Sequence, residues 1–569
     1  MNYYNDINGS VVFANSIFSA HDIKSGVKKI ENIFIESELS DSDIVAIAVP
    51  RSFYLIAAII SCLDAGITYL LIDINAQPKS RIEFMLNNAD VNTVLSVSSV
   101  NFDFGNRKVL FLDDCSDTVN TFTEQSTMNN LAYILYTSGT TGTPKAVEVT
   151  KKGLLNFIES MKRKIGFSEG EIIASFTNCT FDIFFLEAIV PLYCAMTVRL
   201  ATEEQVENPV KLVRFLKDEN TTVLQITPSR LRLLKMVDNE LSFLNDFKII
   251  MVGGEPFPAE LLQTLQKIHG CKIFNMYGPT ETTIWSTIAD LSKEKEIHIG
   301  APIDNTSIYL LKDDFTETNE NEIGEICIGG DGLANGYYNN AVQTKESFKV
   351  LPFAPYERVY RTGDLGYYNI NNHLIYCGRK DSQVKINGKR VELEEIEVQI
   401  NNISGIKQAI VCFDEEKSQL ISFYLSDNSI NELLIKEKLN AVLPNYMIPI
   451  KYIRLDNFFY TVSGKTDRKK LLDFFNSPSC SEMKGKTNNP DGDEITNNVI
   501  DLVNKILNTY GQALDLKAPL VEIGFDSMNY ISFIVELENI FDIEIEEEKL
   551  IISFFENIYE VINYIRSIL

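Results

Sequence analysis

Short apolar runs and amphipathic stretches take turns along the first part of the chain. Residues 44–49 are apolar throughout and predict a buried strand, and 53–65 predict a helix stopped by Gly66. The couplet returns at 69–73 and 81–89, and the strand signal repeats at 91–97 and 109–112. Strands alternating with helices predict an α/β layer on a parallel sheet. Further buried strands are predicted at 131–136, 223–227 and 249–252, and the segment 324–337 reads as β-rich. Near the C-terminus the pattern changes. Residues 476–494 are polar, with Pro, Gly and Ser, and read as a flexible linker. Beyond them, apolar Val499, Leu502, Val503 and Ile506 mark one amphipathic helix, and Met528, Ile531, Ile534 and Val535 share one side of another.

The strand 131–136 runs into a loop of hydroxyls and glycines: Thr137, Ser138, Gly139, Thr140, Thr141, Gly142, Thr143, Pro144 and Lys145. Glycine lets backbone approach a ligand closely, hydroxyls donate, and Lys145 adds a cation, a combination suited to a polyphosphate. It is not a Walker loop, because Lys145 follows proline and no Gly-Lys-Ser/Thr occurs. A second informative place is Asp182, an acid inside the apolar run 181–187. A buried carboxylate is costly unless paired, so Asp182 either caps a helix or meets a cationic partner.

Bulk properties narrow the field. With 569 residues, 45% of them hydrophobic, several domains with large cores are expected. The formal charge of −26 argues against nucleic acid and anionic membrane as partners. Nine cysteines without a Cys-x-x-Cys pair read as free thiols, and four scattered histidines argue against a histidine-built metal site. No apolar run reaches membrane-spanning length, and the N-terminus lacks a secretory pattern, so a cytoplasmic protein is expected.

The loop 137–145 resembles the phosphate loop of adenylate-forming enzymes, the superfamily of acyl-CoA ligases, luciferases and nonribosomal peptide synthetase adenylation domains. Another motif of that family precedes it at 63–73, and others follow in order at 274–283, 324–337, 360–365, 378–392, 443–449 and 463–468. Departures are Leu71 for proline, Ala146 for glycine, Lys151 for histidine, Ser463 for asparagine and Glu394 for a glycine, the last expected to matter little on an exposed helix start. The resemblance implies ATP and Mg²⁺. Tyr277 would stack on adenine, Thr280 bond the α-phosphate, Glu281 hold the metal, Asp364 accept both ribose hydroxyls, and Arg379 reach the nucleotide, with Gly254 against it. Asp381 would be the hinge of a small lid, Lys385 would lie near a thiol tunnel, and Lys465 would be the catalytic lysine.

Asp182 matches the position that holds an α-ammonium group in amino-acid activators. The matching pocket set is Asp182, Ile183, Leu186, Gln225, Met251, Gly253, Met276, Ile284 and Trp285. An indole, a leucine and two methionines leave little side-chain room, so glycine is expected as substrate and alanine second. Ser527, in Asp-Ser-Met at a helix start, resembles the 4′-phosphopantetheine site of carrier proteins. The expected organisation is an α/β adenylation core with parallel sheets and a β-rich subdomain (1–380), a mobile α+β subdomain (381–475), a linker (476–494) and an all-α carrier bundle (495–569). Implied partners are a small amino acid, a phosphopantetheinyl transferase and a downstream synthetase or tailoring enzyme in trans. No condensation or thioesterase signature is found in the sequence. The alternatives are a carboxylic-acid:CoA ligase and an inactive scaffold that merely presents the carrier.

Overall fold

The computed structural model describes residues 3–569 apart from 115–129, 140–141, 218–220, 387, 416, 418, 428–429, 461–465, 477–492, 508–513, 526, 542, 544, 547–548 and 550–553. The side chains of 494, 521–522, 527–528 and 539 also lie outside the description. Thus Thr140, Thr141 and Lys465 are outside the described residues, as is nearly all of the expected linker, and Ser527 is placed by its backbone alone.

Two large sheets carry the first part of the chain. In one, six strands run in the order Lys108–Phe111, Thr93–Ser96, Ile44–Ile47, Thr68–Leu71, Leu131–Thr137 and Lys145–Thr150. All neighbours are parallel except the last pair, which turns back antiparallel through the loop 138–144. The helix Phe53–Ala65 supplies a crossover, and Gly66 ends it at φ 77°, a left-handed conformation that glycine adopts without strain. The other sheet has nine strands, and its middle (Ile172–Ser175, Thr197–Leu200, Val223–Ile226, Ile249–Gly253, Lys272–Tyr277) is parallel. These strands are buried on both faces and read as continuous apolar runs for that reason.

An antiparallel sheet follows, built on the long strand Ala354–Tyr368. Its register sets Asp364 opposite Arg379, the last residue of Leu374–Arg379. A two-stranded hairpin, Gln383–Ile386 with Lys389–Glu392, leads into the helix Leu393–Asn401 and a three-stranded sheet with its own core. The carrier region has the helices Glu494–Leu507, Leu520–Ile523, Ser527–Phe541 and Ile558–Ile568 around a separate core.

One sequence reading shifts here. The buried stripe of Ser527–Phe541 is Tyr530, Phe533, Ile534 and Leu537, with Ile531 beside it, whereas Val535 is only half-buried. Those four positions are the i, i+3, i+4, i+7 face of one helix, so the apolar stripe is centred on the aromatic residues. The seven described cysteines are free thiols, five of them buried. No described helix is long and apolar enough to cross a membrane.

Candidate active site

Many of the expected site residues meet in an open cleft between the two large sheets, the antiparallel sheet and the hairpin 383–392. Thr137, Ser138, Asp182, Ile183, Gly254, Tyr277, Thr280, Ile284, Trp285, Asp364, Arg379 and Lys385 all line it. Those from the two large sheets sit at the ends of strands or in the loops beyond, where an open α/β sheet offers its crevice, while Asp364 and Arg379 come from the antiparallel sheet and Lys385 from the hairpin.

At one end, Asp364 accepts hydrogen bonds from the Tyr277 hydroxyl at 2.7 Å and from Arg379 Nη1 at 2.7 Å. Arg379 also grips Asp381 through Nε at 2.6 Å and Nη2 at 2.7 Å, so the expected hinge residue is tied to the cleft wall. Burial and the neighbouring Asp364 push the Tyr277 hydroxyl far above the usual phenol range, so it stays a donor.

At the other end lies Asp182. It is the residue before the helix Ile183–Ala188, yet its side chain makes no capping hydrogen bond. The capping alternative is therefore set aside, and the carboxylate belongs to the cleft. Burial raises its pKa above the usual carboxylate value, while the Thr280 hydroxyl, the Ile183 backbone N–H and, less, the charge of Lys385 pull the other way. Behind it, Trp285 is buried, and its Nε1 donates to Gln225 Oε1 at 3.2 Å. Gln225 in turn donates to Glu187 Oε1 at 3.1 Å. The indole rests on Gly253, where a Cβ would stand 2.8 Å from Trp285 Cη2. Of the expected pocket set, Leu186, Gln225, Met251, Gly253 and Met276 do not line the cleft, and all are buried or on buried strands behind it.

The backbone that delivers Trp285 is strained. Thr283 and Ile284 both have positive φ, 63° and 69°. The left-handed region costs an L-residue roughly 1–2 kcal/mol, more for β-branched side chains, so neighbours must enforce it. The Thr283 hydroxyl is held by the Gly332 carbonyl at 2.7 Å. Gly278 lets this segment pass close, since a Cβ there would fall 2.5 Å from the Ile284 carbonyl oxygen.

The phosphate-type loop is engaged by the hairpin and the helix after it. Ser138 Oγ donates to the Arg390 carbonyl at 2.9 Å and accepts from the Glu392 N–H at 3.2 Å. The Gly139 N–H donates to Glu395 at 2.9 Å, Lys145 pairs with Glu392 at 3.4 Å, and Gln399 donates to the Gly142 carbonyl at 3.0 Å. Arg81 from the first sheet's side also reaches Glu395, at 2.7 Å. Thr137 Oγ1 and Arg390 Nε are buried on the cleft wall without a hydrogen-bond partner among the described residues.

Glu281 is fully buried and bonded by Tyr337 at 2.8 Å and by Arg390 Nη1 on both oxygens at 2.9 Å. Burial would raise its pKa, but Arg390 and Tyr337 outweigh it, so the carboxylate is held below its usual value and stays charged. That charge suits a hard cation. No group of three metal-type side chains gathers among the described residues, so a Mg²⁺ here would use Glu281 with phosphate oxygens, as Mg²⁺ usually does. Arg390 and such an ion would compete for the same carboxylate.

Sequence reasoning missed the partners that the hairpin and the helix after it supply: Arg390 and Glu392, then Glu395 and Gln399. Their signal was present as charged and polar residues after Gly388, but nothing local said which groups they would meet. Two departures resolve as well. Lys151 Nζ reaches the Gly66 carbonyl at 3.1 Å and does not line the cleft. Glu394 is half-buried and accepts a hydrogen bond from Ser382, so its helix start is not freely exposed as expected.

Family matches place the chain in a class, AMP-binding enzymes joined to a phosphopantetheine attachment site. The chain belongs to the AMP-binding enzyme family, which it matches over residues 10–338, and residues 497–565 match the phosphopantetheine attachment site. A dimodular nonribosomal peptide synthase of Bacillus subtilis (strain 168) is 33% identical over 475 residues, 81% of this chain and 20% of that protein. The chain thus spans a small part of the length of the curated relatives it matches. Among solved structures, holo-PA1221, a nonribosomal peptide synthetase protein containing adenylation and PCP domains, bound to a vinylsulfonamide inhibitor, has a TM-score of 0.79 at 22% identity, over 94% of this chain and 89% of that one. Holo-AB3403, a four-domain nonribosomal peptide synthetase bound to AMP and glycine, has a TM-score of 0.60 at 27% identity, over 100% of this chain and 42% of that one. Such enzymes use ATP and Mg²⁺, and the attachment site takes 4′-phosphopantetheine.

Proposed function

We propose that this chain activates glycine, with alanine second, as an aminoacyl-adenylate and then loads it onto its own carrier domain. The observation that carries the substrate reading is Trp285, wedged on Gly253 and fixed by Gln225, in the same cleft as Asp182. The indole stands where a larger substrate side chain would go. Asp182 offers a charge for an α-ammonium group. Glycine bound to holo-AB3403 agrees with this reading.

In the first half-reaction a substrate carboxylate oxygen attacks the α-phosphorus of ATP, and pyrophosphate leaves. Asp364 and Tyr277 hold the nucleoside, Thr280 and the loop donors face the phosphates, and Lys465 is assigned the developing charge. Catalysis of this kind is positioning and charge stabilisation. In the second half-reaction the acyl group passes to sulfur and AMP leaves. Phosphopantetheine at Ser527 supplies the acceptor thiol. We read the seated hairpin, with Lys385 in the same cleft as Asp182 and Gly388 beside Gly254, as the arrangement of that second step.

The test is ATP–pyrophosphate exchange across the twenty amino acids, with glycine expected to give the fastest exchange. A strong preference for a large side chain sinks the substrate reading, and no exchange with any amino acid sinks the activation reading.

A further inference from the structure

Glu255 follows Gly253 and the cleft-lining Gly254, and its two carboxylate oxygens serve different parts of the molecule. Oε2 accepts from the Ser229 N–H at 2.8 Å and from Ser229 Oγ at 2.6 Å, at the first turn of the helix Pro228–Val237. Oε1 accepts from the backbone N–H of Gly388, in the hairpin turn. Gly388 has φ 78°, and a Cβ there would lie 2.6 Å from Thr227 Cγ2, so the turn is pressed onto the start of the same helix. A Cβ on Gly254 would in turn lie 3.7 Å from Gly388 Cα and 3.7 Å from Ile183 Cδ1, at the rim of the cleft. The other end of Pro228–Val237 meets the carrier: the helix Ser527–Phe541 packs on it, with Ser532 Oγ 4.0 Å from Met236 Sδ.

One half-buried carboxylate therefore joins the helix on which the carrier lies to the turn that roofs the cleft. A hydrogen bond from a backbone N–H to a charged acceptor is among the stronger kinds, and it forms only while the hairpin is seated. We propose that Glu255 is a positioning residue for the acyl-transfer half-reaction, holding the Gly388 turn on the carrier's landing helix while the thiol approaches. This rests on the two-step reading above. Glu255 touches no reacting atom. A residue that merely caps Pro228–Val237 would affect both halves alike, which separates the two roles.

The experiment uses the full holo chain, with whichever amino acid gives the fastest exchange in the unaltered protein. Two rates are compared: ATP–pyrophosphate exchange, and single-turnover transfer of labelled amino acid to the carrier, read by intact mass. Glu255→Ala should leave exchange within about twofold and slow transfer by roughly 10- to 100-fold, the weight of a lost charge-assisted hydrogen bond. Glu255→Gln, which keeps an acceptor oxygen, should recover part of the transfer rate. Hydrogen–deuterium exchange of the peptide spanning 383–392 gives a readout independent of activity, and the Gly388 amide should lose protection in Glu255→Ala. Equal loss of both rates, or unchanged transfer with unchanged protection, overturns the proposal. Failure of the unaltered protein to exchange with any amino acid overturns the activation reading instead, and the protection measurement still decides whether Glu255 holds the turn.

Discussion

At the residue scale, Trp285 and Gly253 form one lock. Replacing Trp285 with Ser should open the space behind Asp182 and improve kcat/KM for larger amino acids relative to glycine by roughly 10- to 200-fold, read by pyrophosphate exchange. Gly253→Ala forces a Cβ into Trp285 and into the Met276 carbonyl, where it would stand 2.7 Å away. Overpacking of this sort costs about 1–3 kcal/mol and should appear as a lower midpoint in urea unfolding. Far from the cleft, Glu31 on the helix Ala20–Glu36 is buried, and its pKa is raised to about 7 by burial first, against the pull of Lys28 and with a push from Asp64. The folded chain therefore holds a proton on Glu31 that the unfolded chain has released once pH exceeds about 4.3. Stability from this group is greatest below that value and falls as pH rises towards 7. Glu31→Gln should flatten the fall of Tm between about pH 5 and pH 7 and raise Tm at neutral pH.

At the scale of elements, the hairpin 383–392 decides what the cleft can do. It carries Lys385 into the cleft, seats Arg390 on Glu281, and starts the helix that occupies the phosphate loop. Lys389 lies over the rings of Phe181 and Tyr446, at 5.2 and 4.2 Å, and burial lowers its pKa to about 8. Gly388 permits this seating. Gly388→Ala adds a left-handed alanine and a clash with Thr227, so acyl transfer should slow by about tenfold or more while exchange persists, measured on the same preparation. This part of the site was only partly legible. The charges and the glycine were visible in 378–392, but their partners lie far away in sequence: Arg390 and Glu281 are separated by 109 positions, Gly388 and Glu255 by 133, and Glu392 and Lys145 by 247.

At the scale of the whole molecule, the carrier has its own core and lies on the face of Pro228–Val237. Ser527→Ala should leave pyrophosphate exchange unchanged and abolish aminoacyl loading in intact-mass measurement. A carrier that still loaded would mean acylation elsewhere, and the self-loading reading would fall.

The sequence by itself determined the alternation of strands and helices, the order of the nucleotide motifs, and the residue types around the cleft. Helix Phe53–Ala65 matches the range read from its pattern, because a continuous apolar run ended by glycine has few other solutions. What only the tertiary structure decided is which charge meets which. Asp182 could have capped a helix; its side chain makes no cap and instead lines the cleft that Thr280 and Lys385 also line. Glu281 could be read only as an oxygen ligand, and its actual neighbour is Arg390. Local patterning encodes burial and period, both properties of neighbours in the chain. Pairings across sheets and across a hinge depend on how separately folded layers come to rest.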